Sequence, residues 1–277
     1  MKLLRFKHHG LKRAGVLTPN GVAPFEEINA KKGTRLSNDL LALIQAGSLD
    51  ALKDLDGVPC LPYEDVIPVL PYDVPPKIWC IGLNYKTHAE DINAVQPEEP
   101  GSFMKPASCM FQPGGDIVLP PPHVSDDVDA EGELGVVIGK TCRFVPMSDV
   151  PSVIFGYTTT LDLTALDVLR KNPRYLTRAK SIDTFFSFGP VITTADEIND
   201  VHALEVITEH NGGVCSRDFV LNMRHRPYDL VRFHSDFFTL YPGDLISTGC
   251  PKGARIKRGD KVAARIEGVG ELRANVR

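Results

Sequence analysis

Short apolar runs separated by turn-forming residues recur along the last two thirds of the chain. Runs of about four to eight residues bounded by Gly, Pro, Asn or Asp are typical of β-strands. The Asn211-Gly212-Gly213 sequence predicts a hairpin turn. The runs predict strands over residues 77–82, 116–119, 134–138, 156–161, 191–194, 204–209, 244–247, 261–266 and 271–276.

Helical patterns are fewer. We predict helices over residues 86–95 and 164–171, and over 227–238, where Pro227 suits a first helical position. These helices do not alternate regularly with the strands, which disfavours a doubly wound or (β/α)₈ fold. The pattern favours an α+β fold with a rolled or sandwiched sheet.

The first part of the chain has a different pattern. Residues 2–6 and 14–18 resemble strands, and residues 37–47 predict a helix that begins at a Ser37 cap and ends at Gly47. A proline-rich stretch over residues 59–76 follows. We therefore expect a small α+β domain over residues 1–72 and a larger domain over residues 73–277.

Composition narrows the function classes. The chain has 277 residues, 43% of them hydrophobic, and a formal net charge of −4 without a basic cluster, so we expect no nucleic-acid partner. No apolar run approaches the length of a membrane span, so we expect no membrane partner. The 6 cysteines are widely spaced and lack a C-x-x-C pair, which favours reduced thiols and a cytoplasmic location.

Three acidic residues indicate where a metal ion could bind. Glu131 and Glu133 precede the apolar run 134–138, and Asp162 follows about thirty residues later. Residues two apart in a strand point the same way, with Cα atoms about 6–7 Å apart. Three such groups at the end of a buried strand would repel one another unless a cation neutralised them. The pattern predicts a divalent metal site.

Six blocks of sequence, read together, resemble the fumarylacetoacetate hydrolase family. They occur in that family's order and cover roughly residues 74–277. The resemblance implies a catalytic domain of the mixed β-sandwich roll type, a small N-terminal domain, a homodimer and a Mg²⁺ or Mn²⁺ cofactor. The blocks are residues 82–91 (G-L-N-Y-K-T-H-A-E-D), 103–106 (F-M-K-P), 131–140 (E-G-E-L-G-V-V-I-G-K), 156–162, 180–190 and 242–251 (P-G-D-L-I-S-T-G-C-P).

The resemblance also implies roles for individual residues. It makes Glu131, Glu133 and Asp162 the metal ligands, and oxygen ligands favour Mg²⁺ or Mn²⁺ over Zn²⁺. The remaining catalytic residues would be an acid–base pair of His88 with Asp91, which share a face three residues apart in a helix, and a charge-stabilising lysine, Lys180. Glu90 is an alternative to Asp91, because the family usually has Glu at the position of Asp91.

The expected substrate-binding residues include departures from the family. Leu166 and Leu169 stand where an Arg and a Gln usually hold a substrate carboxylate, and Arg170 or Arg178 could supply that charge from a shifted position. Cys250 replaces the second Thr of a T-G-T-P motif, beside Thr248 and Gly249, which we expect near the ligand. Tyr157 is either a pocket hydroxyl or a core residue.

The implied activity is hydrolysis of a C–C bond in an acylpyruvate or diketo acid, in which the metal stabilises an enolate and His88 removes a proton. A 2-oxo diacid decarboxylase or an enol–keto isomerase would use the same centre. A silent metabolite-binding relative and a structural protein without a metal are the other hypotheses. The expected partner is a small 2-oxo or diketo acid.

Overall fold

The computed structural model describes residues 1–91 and 93–277. Within these residues the strands are β1 Lys2–His8, β2 Leu11–Thr18, β3 Gly21–Pro24, β4 Ile67–Val69, β5 Ile78–Gly82, β6 Gly101–Met104, β7 Asp116–Ile117, β8 Val128–Ile138, β9 Ile154–Ala165, β10 Phe186–Phe188, β11 Val191–Thr194, β12 Glu205–His210, β13 Gly213–Phe219, β14 Leu245–Ser247, β15 Ala254–Ile256, β16 Lys261–Ile266 and β17 Gly270–Val276. The helices are α1 Phe25–Lys32, α2 Leu40–Ala46, α3 Lys86–Asp91, α4 Val150–Val153, α5 Leu166–Lys171, α6 Leu176–Lys180 and α7 Pro227–Phe237.

The strands form two sheets, one large and one small. The main path of the large sheet has the order β3-β2-β1-β11-β9-β8-β14-β5-β6, and β4, β10 and β15 pair beside it. The small sheet has the order β13-β12-β16-β17-β7. This mixed α+β architecture agrees with the expected sandwich roll.

The two sheets pack through β8 and β9 of the large sheet. Strands β12 and β16 contact β8, and β16 and β17 contact β9. Ala130 and Leu134 of β8 lie in the apolar layers between the sheets. Gly132 lies between them, and a Cβ there would come within 2.8 Å of Thr208 Oγ1 on β12. A side chain at residue 132 would therefore push the sheets apart, while Glu131 and Glu133 point to the opposite face.

The N-terminal strands continue the large sheet. Strand β1 pairs antiparallel with β11, and β2 and β3 extend the sheet from there. Residues of α1 and α2 cover this part of the sheet through an apolar cluster that includes Phe25, Ile28 and Leu40. The division between residues 1–72 and 73–277 stays a prediction.

Several predicted boundaries were wrong. The strand expected at 134–138 runs from Val128, so Glu131 and Glu133 lie inside β8 and not at its end. The strand expected at 156–161 continues to Ala165, which pairs with Val128, so residues 164 and 165 are not helical. Long pairing between β8 and β9 overrides the local pattern.

The helix expected at 37–47 begins later than predicted. Asp39, and not Ser37, caps α2, because its Oδ1 accepts a hydrogen bond of 2.9 Å from Leu41 N. Of the helix expected at 86–95, the described residues show Lys86–Asp91; residue 92 lies outside them, and Asn93 has a positive φ of 54°. Helices α1, α4 and α6 and several short strands were not predicted.

None of the helices in the described part of the chain has both the length and the hydrophobicity that a bilayer crossing requires.

Candidate active site

A trio of acidic side chains on two neighbouring strands forms the floor of the site. Glu131 and Glu133 lie on β8, and Asp162 lies on β9 directly opposite Glu131. Directly opposite residues share a face of a sheet, as do residues two apart in a strand. One carboxylate oxygen from each residue lies within 4.8 Å of the others. The three are buried, with exposed fractions of 3%, 1% and 1%. The structure brings together the three predicted ligands.

Two buried lysines neutralise part of this charge. Lys180, the last residue of α6, donates hydrogen bonds to Glu131 Oε2 at 2.8 Å and to Asp162 Oδ2 at 2.9 Å. Lys105, just after β6, donates to Asp162 Oδ1. Burial lowers the pKa of a lysine, but the neighbouring carboxylates outweigh it and raise the pKa of Lys180. The Lys180 ammonium group therefore stays charged at neutral pH.

The residues fit a hard divalent cation. Three carboxylates face two ammonium groups, so one negative charge is unbalanced. Burial, together with Asp162 and Glu131, raises the pKa of Glu133 to about 8, so a proton supplies the balance at neutral pH. Burial also opposes ionisation of Glu131, but Lys180 and His88 lower its pKa. A cation held by the trio would replace that proton, and a donor set of oxygen atoms suits Mg²⁺ or Mn²⁺.

Neighbouring groups orient the two glutamates. Thr164 Oγ1 donates to Glu131 Oε1. Ser247 Oγ and Gly249 N both donate to Glu133 Oε2, the latter at 2.9 Å. Gly249 has a φ of +94°, and a Cβ there would come within 2.8 Å of Asn84 Cβ, so this backbone contact requires glycine.

Thr248 and Gly249 lie behind the glutamates. Thr248 Oγ1 donates to Leu134 O at 2.8 Å, and Asn84 Nδ2 donates to Thr248 O at 2.7 Å. Neither Thr248 nor Gly249 is among the residues that line the cavity described below. Their predicted contact with substrate stays a prediction; in the structure they hold β14 and Glu133 in place.

A cavity of about 710 Å³ meets the trio at Glu131, whereas Glu133 and Asp162 are not among its lining residues. Its inner end is lined by Glu131, His88, Lys180 and Cys250. Much of the remaining lining is apolar and includes Phe103, Pro97, Leu166, Leu169 and Leu176. A volume of this size is typical of a small-molecule site.

His88 is positioned to act as a base. It lies on α3 with an exposed fraction of 7%. Burial lowers the pKa of His88, and Lys180 adds to that effect while Glu131 opposes it, so the imidazole is neutral at pH 7. Its Nδ1 is buried and has no hydrogen-bond partner among the described residues. A neutral imidazole with a free ring nitrogen can accept a proton.

The predicted hydrogen bond between His88 and Asp91 is absent from the described residues. Asp91 Oδ1 lies 2.7 Å from Lys252 Nζ and forms an ion pair there. Glu90, the alternative, faces Lys86 at 3.6 Å on the exposed side of the helix. A lysine from the loop after β14 therefore binds the carboxylate that was expected to orient His88.

Two arginines lie at the outer part of the cavity, which we call the rim. Arg170 follows Leu169 on α5, and its Nη2 lies 2.6 Å from Asp127 Oδ2. Arg255 on β15 lies 3.2 Å from Asp129 Oδ1. Both arginines line the cavity together with Leu166 and Leu169, whereas Arg178 is not among its lining residues. Positive charge is thus present close to the two leucines, at shifted positions.

Tyr157 was predicted to be either a pocket hydroxyl or a core residue, and it is a core residue. It is 2% exposed and lies in the apolar cluster with Val136, Ile138 and Ile266. Its neighbour there is Tyr228, not a cavity residue. The structure places Tyr157 in the core.

The sequence did not single out four residues that shape the site. Lys105, Thr164 and Ser247 bind the carboxylates, and Arg255 lies at the rim. Lys105 lies within a block already matched to the family, and a lysine directly after an apolar strand was the available signal. Thr164 and Ser247 depend on strand pairing that single-sequence patterns do not reveal.

Comparison with known proteins gives the same family. The profile of the fumarylacetoacetate (FAA) hydrolase C-terminal family matches residues 77–277. The chain is 36% identical over 224 residues to the human protein named oxaloacetate tautomerase FAHD2B, mitochondrial, a match that covers 78% of this chain and 71% of the human one. The chain belongs to the fumarylacetoacetate hydrolase family, which is a family of enzymes.

Two solved structures of similar shape cover the whole of this chain. A fumarylacetoacetate hydrolase from Exiguobacterium antarcticum has a TM-score of 0.86 at 29% identity and is itself 99% covered. A maleylpyruvate hydrolase from Sphingobium sp. SYK-6, solved with manganese(II) and pyruvate, has a TM-score of 0.80 at 29% identity and is 98% covered. The fold is therefore that of the family along its full length.

Proposed function

We propose that the protein is a tautomerase, dependent on Mg²⁺ or Mn²⁺, that interconverts the keto and enol forms of a small 2-oxo dicarboxylic acid. The observation that carries the proposal is the free ring nitrogen of His88 in the cavity that Glu131, one of the three carboxylates, also lines. The human relative named oxaloacetate tautomerase supports this choice of reaction.

Glu131, Glu133 and Asp162 would hold the ion, which would act as a Lewis acid and make the C–H next to the 2-oxo group more acidic. His88 accepts that proton at a ring nitrogen and returns it to the enol oxygen or to carbon, depending on direction. Lys180 stays charged and keeps Glu131 and Asp162 in position. The apolar wall excludes water, which strengthens these electrostatic interactions.

The substrate has a second carboxylate, farther from its 2-oxo group, and we assign this distal carboxylate to the rim. Arg170 and Arg255 line the cavity there, and a guanidinium binds a carboxylate through charge-assisted hydrogen bonds. Asp127 lies within 4.0 Å of both arginines, which limits the number of positions their side chains can take. We therefore expect a dicarboxylic acid to bind more tightly than a monocarboxylic one.

Tautomerisation is preferred over hydrolysis because of Asp91. Hydrolysis requires a water molecule that an oriented base activates, but Lys252 binds the carboxylate expected to orient His88. Proton transfer from a carbon acid at the metal site needs no activated water, and His88 serves as its base. Hydrolysis of an acylpyruvate remains the second candidate function, because a cavity of about 710 Å³ offers room for an acyl chain beyond the 2-oxo acid.

The test is an absorbance assay with the enol form of oxaloacetate. We expect the enol to decay faster than the spontaneous rate in the presence of Mg²⁺ or Mn²⁺, and at the spontaneous rate after chelation. The variant His88→Gln should lose the acceleration, whereas His123→Gln, which changes an exposed histidine, should keep it. A rate that equals the spontaneous one with both metals would contradict the proposal.

The same assay separates the other reactions. Acylpyruvates are incubated with the protein and the release of pyruvate is measured, and oxaloacetate is monitored for loss of CO₂. Pyruvate from acylpyruvates, without acceleration of enol decay, would support the hydrolase. CO₂ release above the spontaneous rate, without such acceleration, would support the decarboxylase. Binding without any turnover would support the silent relative.

Two further expectations stay proposals, namely the homodimer that the family resemblance implies and the cytoplasmic location that the cysteine spacing favours. Light scattering on the purified chain tests the first, because a dimer has twice the chain mass of 30.4 kDa. Microscopy of a tagged chain in its own cell tests the second.

A further inference from the structure

A second group of potential metal ligands adjoins the acidic trio. His88, Glu131 and Cys250 are all buried, and one ligand atom from each lies within 4.8 Å of the others. Glu131 belongs to both groups, and His88 and Cys250 lie on the cavity side. The second group therefore shares one carboxylate with the first and adds an imidazole and a thiol.

The state of His88 is an independent indication of a ligand at this position. Its side chain is more than nine-tenths buried, yet Nδ1 has no hydrogen-bond partner among the described residues. An unpaired buried polar atom costs free energy, which a ligand at that atom would recover. Cys250 is 2% exposed and lines the same cavity, so an ion that enters the cavity can reach both side chains.

The two groups differ in the cations they prefer. The acidic trio offers only oxygen, which suits Mg²⁺ and Mn²⁺. Imidazole nitrogen and thiolate sulfur suit Zn²⁺ and Co²⁺, and three protein ligands with one open position form a common zinc geometry. The cysteine in place of the family's threonine makes this second set possible, because a hydroxyl is a poor ligand for these ions.

We propose that His88, Glu131 and Cys250 form a second metal site that binds Zn²⁺ or a similar thiophilic divalent cation. On binding, the Cys250 thiol releases its proton to solvent and Sγ bonds to the ion, with no change of oxidation state. The ion also occupies a ring nitrogen of His88, which can then no longer accept a proton. Zinc would thus inhibit an enzyme that Mg²⁺ or Mn²⁺ supports.

The site stands on the geometry of three residues and does not depend on which reaction the enzyme catalyses. Its test therefore measures binding without substrate. Failure of the zinc site would leave the tautomerase proposal intact, and absence of tautomerase activity would leave the zinc site intact.

Cobalt(II) is the probe, because thiolate ligation of Co²⁺ produces a charge-transfer absorption band that oxygen ligands do not produce. Full-length protein is titrated with Co²⁺ under anaerobic conditions, with and without Mg²⁺. We expect the band to appear in both cases and to disappear when Zn²⁺ is added. The absence of the band at saturating Co²⁺ would overturn the proposal.

Substitutions of single cysteines identify the sulfur atom that binds the ion. Cys250→Ser should abolish the band, and competition with Co²⁺ should show Zn²⁺ binding weakened more than about 100-fold, since the loss of an outer-sphere partner alone costs 10–100-fold. Cys215→Ser, which changes an exposed cysteine, should leave the band unchanged. A band that survives in Cys250→Ser, or that disappears in Cys80→Ser instead, would overturn the assignment.

A second variant protects the test against misfolding. Circular dichroism and the thermal midpoint of the metal-free protein show whether Cys250→Ser folds. If it does not fold, His88→Gln decides: the band should remain, with Co²⁺ affinity lowered more than about tenfold. Unchanged Co²⁺ affinity in a folded His88→Gln would exclude the imidazole as a ligand and overturn the proposal.

Discussion

The floor and the rim of the cavity are built in different ways. The floor consists of Glu131, Glu133 and Asp162 on two long strands that pair with each other, and each carboxylate has at least one buried hydrogen-bond donor. The rim consists of short helices, loops and the short strand β15, which present leucines and two half-exposed arginines. Strand pairing fixes the positions of the floor side chains, whereas few contacts fix the positions of the rim side chains.

This difference separates the general chemistry of the family from the choice of substrate. The floor can change little, because each charge is buried and depends on its neighbours. The rim can change side chains at little cost to stability, because its arginines are exposed and their ion pairs contribute little. The departures at Leu166, Leu169 and Cys250 all lie in the cavity wall, not among the carboxylates.

The largest effect is expected from Asp162→Asn. Asp162 accepts hydrogen bonds from both buried lysines, so its replacement leaves Lys105 and Lys180 incompletely paired. We expect unfolding free energy to fall by about 3–5 kcal/mol and activity to fall to background. Urea unfolding measures the change in unfolding free energy. Glu133→Gln is the matched control and should cost clearly less, because Glu133 already carries a proton in the metal-free protein. Equal losses would contradict this account of the floor.

Next in size is the effect of His88→Gln. We expect kcat to fall about 10²–10⁴-fold, as is usual for loss of a general base, with little change in KM. Stability should hardly change, because Nδ1 makes no hydrogen bond among the described residues. Steady-state kinetics with both variants, His88→Gln and His123→Gln, measures the difference. A parallel rise in KM with kcat unchanged would assign His88 to binding.

A pH series tests the charge balance of the floor. Burial, Asp162 and Glu131 raise the pKa of Glu133 from 4.5 to about 8 in the metal-free fold. Between these values the folded protein holds a proton that the unfolded chain has lost, so this contribution to stability is complete below pH 4.5 and is lost as the pH rises through about 8. Denaturant unfolding of metal-free wild type and Glu133→Gln should therefore diverge with rising pH, and added Mg²⁺ should restore the wild type. Parallel curves would contradict the raised pKa.

The smallest effect is expected at the rim. Arg170→Gln removes one of the charges assigned to the distal carboxylate, so KM for oxaloacetate should rise roughly 10- to 100-fold. Stability should change little, because Arg170 is half exposed and its ion pair with Asp127 lies near the surface. Arg178→Gln, an exposed arginine on the neighbouring helix, is the control and should leave KM unchanged. An equal change in both variants would show that KM responds to the overall charge of the protein and not to a contact between Arg170 and the substrate.

The sequence predicted the floor better than the rim. Alternation along a strand placed Glu131 and Glu133 on one face, and the family blocks supplied Asp162, His88 and Lys180. The pairing of Asp91 with Lys252 could not be predicted, because the two residues lie far apart in sequence and meet only when β14 and its loop pack beside α3. Arg255 was missed for the same reason, and Lys105 because its partner lies on another strand.

Prediction of the strands likewise succeeded where the local pattern is regular and failed where contacts distant in sequence decide. Strands with a regular pattern and a hairpin turn, such as 261–266, were located correctly. The extra length of β8 and β9 was missed because charged residues interrupt the apolar pattern, and buried lysines compensate for them only in the folded protein.

Deuterium exchange at C3 in D₂O tests the central claim most directly, with oxaloacetate and pyruvate measured side by side by NMR. We predict exchange faster than in buffer for both acids when Mg²⁺ or Mn²⁺ is present, since both reach the floor. Exchange should be faster for oxaloacetate, and Arg170→Gln should reduce that advantage, while chelation or His88→Gln should abolish the acceleration. Exchange at the buffer rate with metal present would contradict the account.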